Sequence, residues 1–319
     1  MAARPTHDSN GALLPAILCL HGGGSNATVF KIQTRRLIWQ LEKQFRFVFA
    51  QAPIEGTPGF GMLPVFASCA PFYRWVNRRF KIGESDVETT PAAEVDTIDS
   101  IIYDVMQANG GVDSFKGVMG FSQGARLTAG LLLRQKIQER DLAASSSSSE
   151  SSTGTGTGTG TATTTTTTTP TPSSANASAN TGLGRGRGLK TKFAFGIMIG
   201  GPYPPIGLIP SPCPSPSPSG PDENDNDNDK NIETSIMMAD YKLLKDIPTV
   251  HAWGRDDHIR PGCEALARLC ESDHSFQMDF DGGHHLPLKD VEAKDLCDLI
   301  MAAWYAGGGK YAVGADESY

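Results

Sequence analysis

Five residues constrain this chain more than any others. Gly120-Phe121-Ser122-Gln123-Gly124 lies between the apolar run Phe115 to Gly120 and an Ala/Leu-rich stretch, Ala125 to Leu133. The run reads as a buried strand, and Gln123 to Glu139 reads as a helix. A chain passing from strand to helix in so few residues must turn sharply, and the glycines flanking Ser122 leave room for the turn. A G-x-S-x-G match arises by chance in a protein with 35 Gly; the strand-turn-helix placement gives this one its weight. Such a turn lifts Ser122 Oγ above the sheet and aims helix N-terminal N–H groups at any anion formed there. Ser122 is thus a candidate nucleophile, and the N–H of Gln123 a candidate oxyanion donor.

The same alternation runs along the rest of the chain. Leu13 to Leu20, Phe45 to Phe49, Phe193 to Ile199, Thr249 to Trp253 and Phe276 to Phe280 read as strands. Helical spacing covers Asn26 to Lys43, Val87 to Ala108, a short segment near Met237 to Leu244, Cys263 to Cys270 and a last stretch to about Tyr305. Apolar strands alternating with amphipathic helices predict an α/β fold, a mostly parallel central sheet flanked by helices. Two low-complexity insertions interrupt it: a Ser/Thr/Gly tract over 143–190, and a Pro/Ser and then Asp/Asn-rich tract over 204–231. Both lack the large apolar side chains that offset ordering entropy, and both are expected to be disordered. Without them roughly 240 residues remain, enough for one domain. Phe193 to Ile199 resumes the alternation that the first tract breaks, so residues 1–319 read as a single domain.

Composition removes several alternatives. The formal net charge is −7, opposite to the basic face that nucleic-acid binding requires. No run of about 18 apolar residues is present to span a membrane. The six cysteines (Cys19, Cys69, Cys213, Cys263, Cys270, Cys297) are scattered without paired spacing. No secretory signal precedes them, so they read as reduced thiols in a cytoplasmic protein. His251, His258, His274, His284 and His285 match no zinc-ligand spacing, so neither a metal nor a cofactor is expected.

A serine needs an oriented base. Thr249 to Asp257 ends a strand in a glycine turn followed by two acids, Asp256 and Asp257. Acids just past a strand's carboxyl end are where open α/β sheets place their sites. Asp257 is preferred and Asp256 is the alternative; the plainer reading has both simply terminate the strand. Asp281-Gly282-Gly283-His284-His285-Leu286-Pro287 follows the next strand in the same way, with His284 preferred over His285 as base. The chain order Ser122, Asp257, His284 is the order of one triad class among several. His21-Gly22-Gly23-Gly24 ends the first strand, placing the Gly23 N–H as a second oxyanion donor, with His21 read as a brace for that loop.

These segments resemble the fungal family of serine hydrolases abbreviated FSH, within the α/β-hydrolase superfamily. The marks are LCLHGGGSNATVF (Leu18 to Phe30), APFYRW (Ala70 to Trp75), GVMGFSQGA (Gly117 to Ala125), WGRDD (Trp253 to Asp257) and DGGHHLP (Asp281 to Pro287). The resemblance implies the α/β-hydrolase fold and hydrolysis of esters or thioesters. It carries the acid onto Asp257 and the base onto His284. It further implies a stand-alone thioesterase that frees an acyl chain from the carrier protein of a polyketide synthase. The loop Ile54 to Phe80 is then the source of specificity, with Phe72, Tyr73 and Trp75 as substrate-binding candidates beside Phe60, Met62 and Phe66; the plainer reading packs several of these on the sheet. Arg74, Arg78, Arg79 and Lys81 offer a local basic patch for a carrier protein, against a plainer reading as a solvated loop. An acyltransferase with the same triad, a general carboxylesterase and a non-catalytic binding protein on the same fold are the rivals.

Overall fold

The computed structural model describes residues 6–77, 90–149, 189–208 and 240–310. Its main sheet has six strands: β1 (Ala16–Leu20), β2 (Arg46–Ala50), β5 (Phe115–Phe121), β6 (Phe195–Ile199), β7 (Thr249–Gly254) and β8 (Ser275–Phe280). They run in the order β2-β1-β5-β6-β7-β8, and every neighbouring pair is parallel. This is the architecture expected of the α/β-hydrolase fold. Two further strands, β3 (Ile54–Gly56) and β4 (Phe72–Arg74), form a separate antiparallel hairpin. The helices are α1 (Ala27–Gln33), α2 (Arg35–Leu41), α3 (Ala92–Ala108), α4 (Gln123–Ser149), α5 (Arg260–Leu269) and α6 (Asp290–Ala306).

The period of two along each strand divides the core. In β1, Ala16, Leu18 and Leu20 face one layer, with Ile98 and Ile102 of α3 and Leu127 and Leu131 of α4. Ile17 and Cys19 face the other, with Phe30 of α1, Leu37 of α2 and Leu296 and Ile300 of α6. Helices on both faces leave no side of the central strands to water, which is why those strands carry almost no polar residue. His251 of β7 is an exception: its imidazole is buried and its Nε2 has no partner among the described residues.

The structure revises several boundaries. The helical stretch Asn26 to Lys43 is two helices, because Thr34 (φ −85°, ψ 4°) turns its hydroxyl onto the Phe30 carbonyl at 2.8 Å. The segment near Met237 to Leu244 is a 3₁₀ turn over Tyr241–Asp246, residues 237–239 lying outside the described residues. The first insertion was placed too wide. α4 continues through Ser149, and on the far side Leu189 and Thr191 are buried. The second was placed too early, since Ile206 and Leu208 pack in the core. Residues 150–188 and 209–239 lie outside the described residues.

The ends of the first break are held by buried polar contacts. Arg134 of α4 donates both guanidinium nitrogens to Asp99 of α3, at 2.9 and 2.6 Å, and the Leu189 N–H adds a third bond to that carboxylate at 3.2 Å. One residue along α4, Gln135 accepts from the Phe193 N–H at 2.8 Å and donates to the Phe193 carbonyl at 3.0 Å. These contacts aim the returning chain into β6. Removing one partner of a buried ion pair strands the other charge, so Arg134→Met is expected to lower unfolding free energy by about 3–5 kcal/mol. A fall in urea midpoint at constant m-value would show this, and adding Asp99→Leu should restore most of the loss.

Candidate active site

The turn between β5 and α4 is as tight as its glycines imply. A Cβ on Gly120 would lie 2.5 Å from the Ala125 nitrogen, and one on Gly124 would lie 2.6 Å from the Leu20 carbonyl carbon of β1. Neither approach tolerates a side chain. Ser122 is, among the described residues, the one non-glycine with positive φ (53°), a strained conformation of about 1–3 kcal/mol that its surroundings enforce. Its N–H donates to the Ile199 carbonyl of β6 at 2.9 Å, and its carbonyl accepts from Ala125 and Arg126 to begin α4.

His284 stands over this turn. Ser122 Oγ lies 2.9 Å from His284 Nε2, and His284 Nδ1 lies 2.8 Å from Asp257 Oδ2. With Nδ1–H donating to the carboxylate, Nε2 is free to accept the hydroxyl proton. The imidazole packs against the Phe121 ring, centroids 4.9 Å apart. Asp257 Oδ1 accepts from the Ile259 N–H at 3.0 Å and lies 3.5 Å from His258 Nδ1. Burial alone would raise the Asp257 carboxyl; the hydrogen bond and charge of His284, then the Ile259 N–H and His258, outweigh it and hold the group below its ordinary range. It is therefore an anion at neutral pH. The two alternatives lie elsewhere. Asp256 is exposed. His285 donates from Nδ1 to the Leu286 carbonyl at 2.7 Å and accepts from the Gly283 N–H at 3.2 Å, so both ring nitrogens are engaged.

Gly23 lies against the side chain of Gln123. The Gln123 N–H opens α4, among the donors a helix leaves without internal acceptors. The surrounding loop is braced by neutral groups. Buried His21 donates from Nδ1 to the Gly22 carbonyl at 2.8 Å and accepts the Ala52 N–H on Nε2 at 3.1 Å. Trp75 Nε1 donates to the His21 carbonyl at 2.8 Å, and the Trp75 N–H donates to Gln123 Oε1 at 2.8 Å. The Gln123 side chain thus ties the segment after β4 to the serine turn, a role that reading Gln123 only as an N–H donor misses.

A cavity of about 520 Å³ opens over Ser122 and His284. Phe60, Met62, Phe121, Pro202 and Ile259 supply apolar wall, while Arg74, Arg126 and His258 supply nitrogen. Phe72, Tyr73 and Trp75, the substrate-binding candidates, are not among the described residues that line it. Phe72 packs on Val29 and Met62, Trp75 is fully buried against His21, and the Tyr73 backbone pairs with Gly24 and Ser25. These three residues fasten the loop to the sheet. Of the basic patch, Arg74 turns into the cavity, while Arg78, Arg79 and Lys81 lie outside the described residues. Arg126 was legible in principle: four residues after Ser122, it shares a helix face with it. Among the described residues no cluster of three metal-ligating side chains occurs, the cysteines are unpaired thiols, and no helix is long and apolar enough to cross a membrane.

Comparison with known proteins places this geometry in context. A family model described as Serine hydrolase (FSH1) matches residues 14–296. The "Probable esterase tazC" of Aspergillus terreus is 42% identical over 142 residues, 44% of this chain and 52% of that protein. "Thioesterase FSL2" of Gibberella zeae is 41% identical over 136 residues, 42% of this chain and 55% of that protein. In these two matches the chain spans about half the length of the relative. "Esterase pigG" of Monascus ruber is 29% identical over 307 residues, 94% of each chain. Among solved structures, acyl-protein thioesterase 2 of Zea mays is similar with a TM-score of 0.47 at 12% identity, covering 95% of this chain and 96% of that one.

Burial lowers His21 to about 4, against a smaller opposing contribution from its bond to Gly22, and lowers His251 to about 3. Both are neutral in the folded protein, whereas an unfolded histidine takes up a proton near 6.5. Their stabilising contribution is therefore complete above pH 6.5 and is lost as pH falls toward 4 and 3. Each should add a slope of roughly 1 kcal/mol per pH unit between pH 6 and 4. Urea unfolding across that range should show it, with His251→Gln removing about half of the slope whatever it does to the midpoint.

Proposed function

Because the chain belongs to the serine hydrolase (FSH1) family, we propose that it hydrolyses esters or thioesters through an acyl-enzyme formed on Ser122. The observation that carries this reading is the unbroken relay from Ser122 Oγ through His284 to Asp257, with links of 2.9 and 2.8 Å. His284 Nε2 takes the hydroxyl proton as Ser122 Oγ attacks the acyl carbonyl carbon. Asp257, already ionised, stabilises the imidazolium and keeps its proton on Nδ1. The N–H groups of Gly23 and Gln123 accept the charge of the tetrahedral oxygen, an interaction stronger in the transition state than in the ground state. His284 then protonates the departing alkoxide or thiolate. A water entering from the cavity gives up a proton to His284 as it attacks the acyl carbon, and His284 passes that proton to Ser122 Oγ as the acyl–Oγ bond breaks and the acid leaves.

The apolar wall formed by Phe60, Met62 and Phe121 suits an acyl chain. Phe60 reaches across to the His258 ring, centroids 5.5 Å apart, while remaining 78% exposed, so it forms a lip at the mouth. The finer part of the proposal is that the scissile bond is a thioester to the carrier protein of a polyketide synthase, with release of the finished chain. Support comes from the motifs shared with that fungal group and from the similarity to a relative named as a thioesterase.

The test treats wild type and Ser122→Ala with a fluorophosphonate probe, then offers both a matched series of acyl thioesters and oxygen esters. Wild type alone should be labelled, and Ser122→Ala should lose at least about a thousandfold in kcat. Thioesters should be the faster series. Equal labelling of both proteins, or none of a folded wild type, would remove Ser122 from the mechanism.

A further inference from the structure

We propose that Arg74 forms an anion-binding subsite in the cavity, selecting substrates that carry a carboxylate or phosphate beside the scissile ester or thioester. The inference rests on the acyl-transfer reading above. Among the described residues, the side chains lining the cavity include two guanidinium groups, Arg74 and Arg126, and two imidazoles, but no aspartate or glutamate. A cleft walled by one sign of charge focuses its field on ligands of the other sign.

The two arginines stand differently. Arg126 is buried, and its Nε donates to the Pro204 carbonyl at 2.6 Å, so it holds the chain leaving β6. The Arg74 side chain is half-buried and makes no hydrogen bond or ion pair with another described residue. Its guanidinium is nevertheless placed. It lies across the backbone of Gly56 on β3, where a Cβ would come within 2.6 Å of Nε and 2.8 Å of Cζ. A side chain at position 56 would push the guanidinium off this place on the hairpin.

The backbone on either side of Arg74 is pinned as well. The Tyr73 N–H donates to the Ser25 carbonyl at 2.7 Å and the Tyr73 carbonyl accepts from Gly24 at 2.8 Å, while the Trp75 N–H is held by Gln123. Arg74 is thus a positioned, unpaired, permanently charged fork facing the cavity. Such a fork matches the two oxygens of a carboxylate or phosphate, and a lysine would supply only a point charge.

The anion can sit on the acyl chain or on the leaving group, and two matched substrate pairs separate these cases. The first compares the p-nitrophenyl half-ester of glutarate with p-nitrophenyl valerate. The second compares butyryl-4′-phosphopantetheine with butyryl-pantetheine. In wild type, kcat/KM for the anionic member should exceed that of the neutral member by about tenfold in one pair, through KM, and the margin should shrink in 1 M salt. Arg74→Gln should erase the margin and Arg74→Lys should restore only part of it. Lys43→Gln makes the same charge change before the amino-terminal end of β2, away from the carboxyl ends of the strands that carry the cavity, and should leave the margin intact. Ratios near one in both wild-type pairs, or a margin that survives Arg74→Gln, would overturn the proposal while Ser122-dependent hydrolysis still stood. If no ester is turned over, the acyl-transfer reading fails separately. Calorimetric binding of the phosphorylated against the neutral thioester, and of the glutarate half-ester against the valerate, to Ser122→Ala then decides the subsite: tighter anion binding in either pair that is lost on adding Arg74→Gln supports it, and equal binding in both overturns it.

Discussion

The active edge of this protein depends on one close approach, the backbone of Gly124 set against the Leu20 carbonyl of β1. Because no side chain intervenes, the first turn of α4 sits directly on the end of the neighbouring strand. That contact forces Ser122 to φ 53° and points its Oγ away from the sheet. It also brings Gly22 and Gly23, which follow β1, beside the start of α4, and Gly23 and Gln123 carry the N–H groups proposed as oxyanion donors. One turn later Arg126 reaches the Pro204 carbonyl and so fixes the exit from β6. The proposed nucleophile, the proposed oxyanion donors and the cavity wall all follow from this packing constraint.

A second layer keeps that edge in place without adding charge to it. His21, Trp75 and Gln123 join the ends of β1 and β4 to the start of α4 through hydrogen bonds between neutral groups. His21 is buried and held neutral to about pH 4, so the brace carries no cation that would compete with His284 for Asp257. Among the described residues, charge at the site comes from the buried Asp257 anion behind His284 and from the arginines on the cavity wall. Such a division suits chemistry in which a negative charge grows on the substrate oxygen: the field around that oxygen is set by fixed dipoles rather than by mobile ions.

Much of this was legible in the residues, for physical reasons. Parallel strands buried on both faces must be apolar throughout, so the runs that became β1, β5, β6 and β7 stand out against amphipathic helices. The glycines of the serine turn are dictated by backbone contact, which no other residue can satisfy. What escaped is equally informative. Three-residue strands such as β3 and β4 are too short to show a period, so the hairpin bracing the cavity read as loop. Aromatic composition does not say which face a residue uses, and Phe72 and Trp75 turned inward to the core while Phe60 faced the mouth. Residues 143–149 are Ala and Ser that prolong a helix already begun, which a composition rule counts as tract.

The same hairpin ties substrate recognition to the chemistry. Arg74 lies between Tyr73, bonded to the Gly24–Ser25 backbone, and Trp75, bonded to the Gln123 side chain. An anion held by Arg74 therefore loads a strand whose other contacts are the loop and the turn that carry the oxyanion donors. Binding energy gained there is felt where the tetrahedral oxygen forms, so it can favour the transition state as well as the bound substrate. A cation on a long surface loop would have no such connection. Gly56 supports the coupling, because without a side chain there the guanidinium rests against the hairpin backbone.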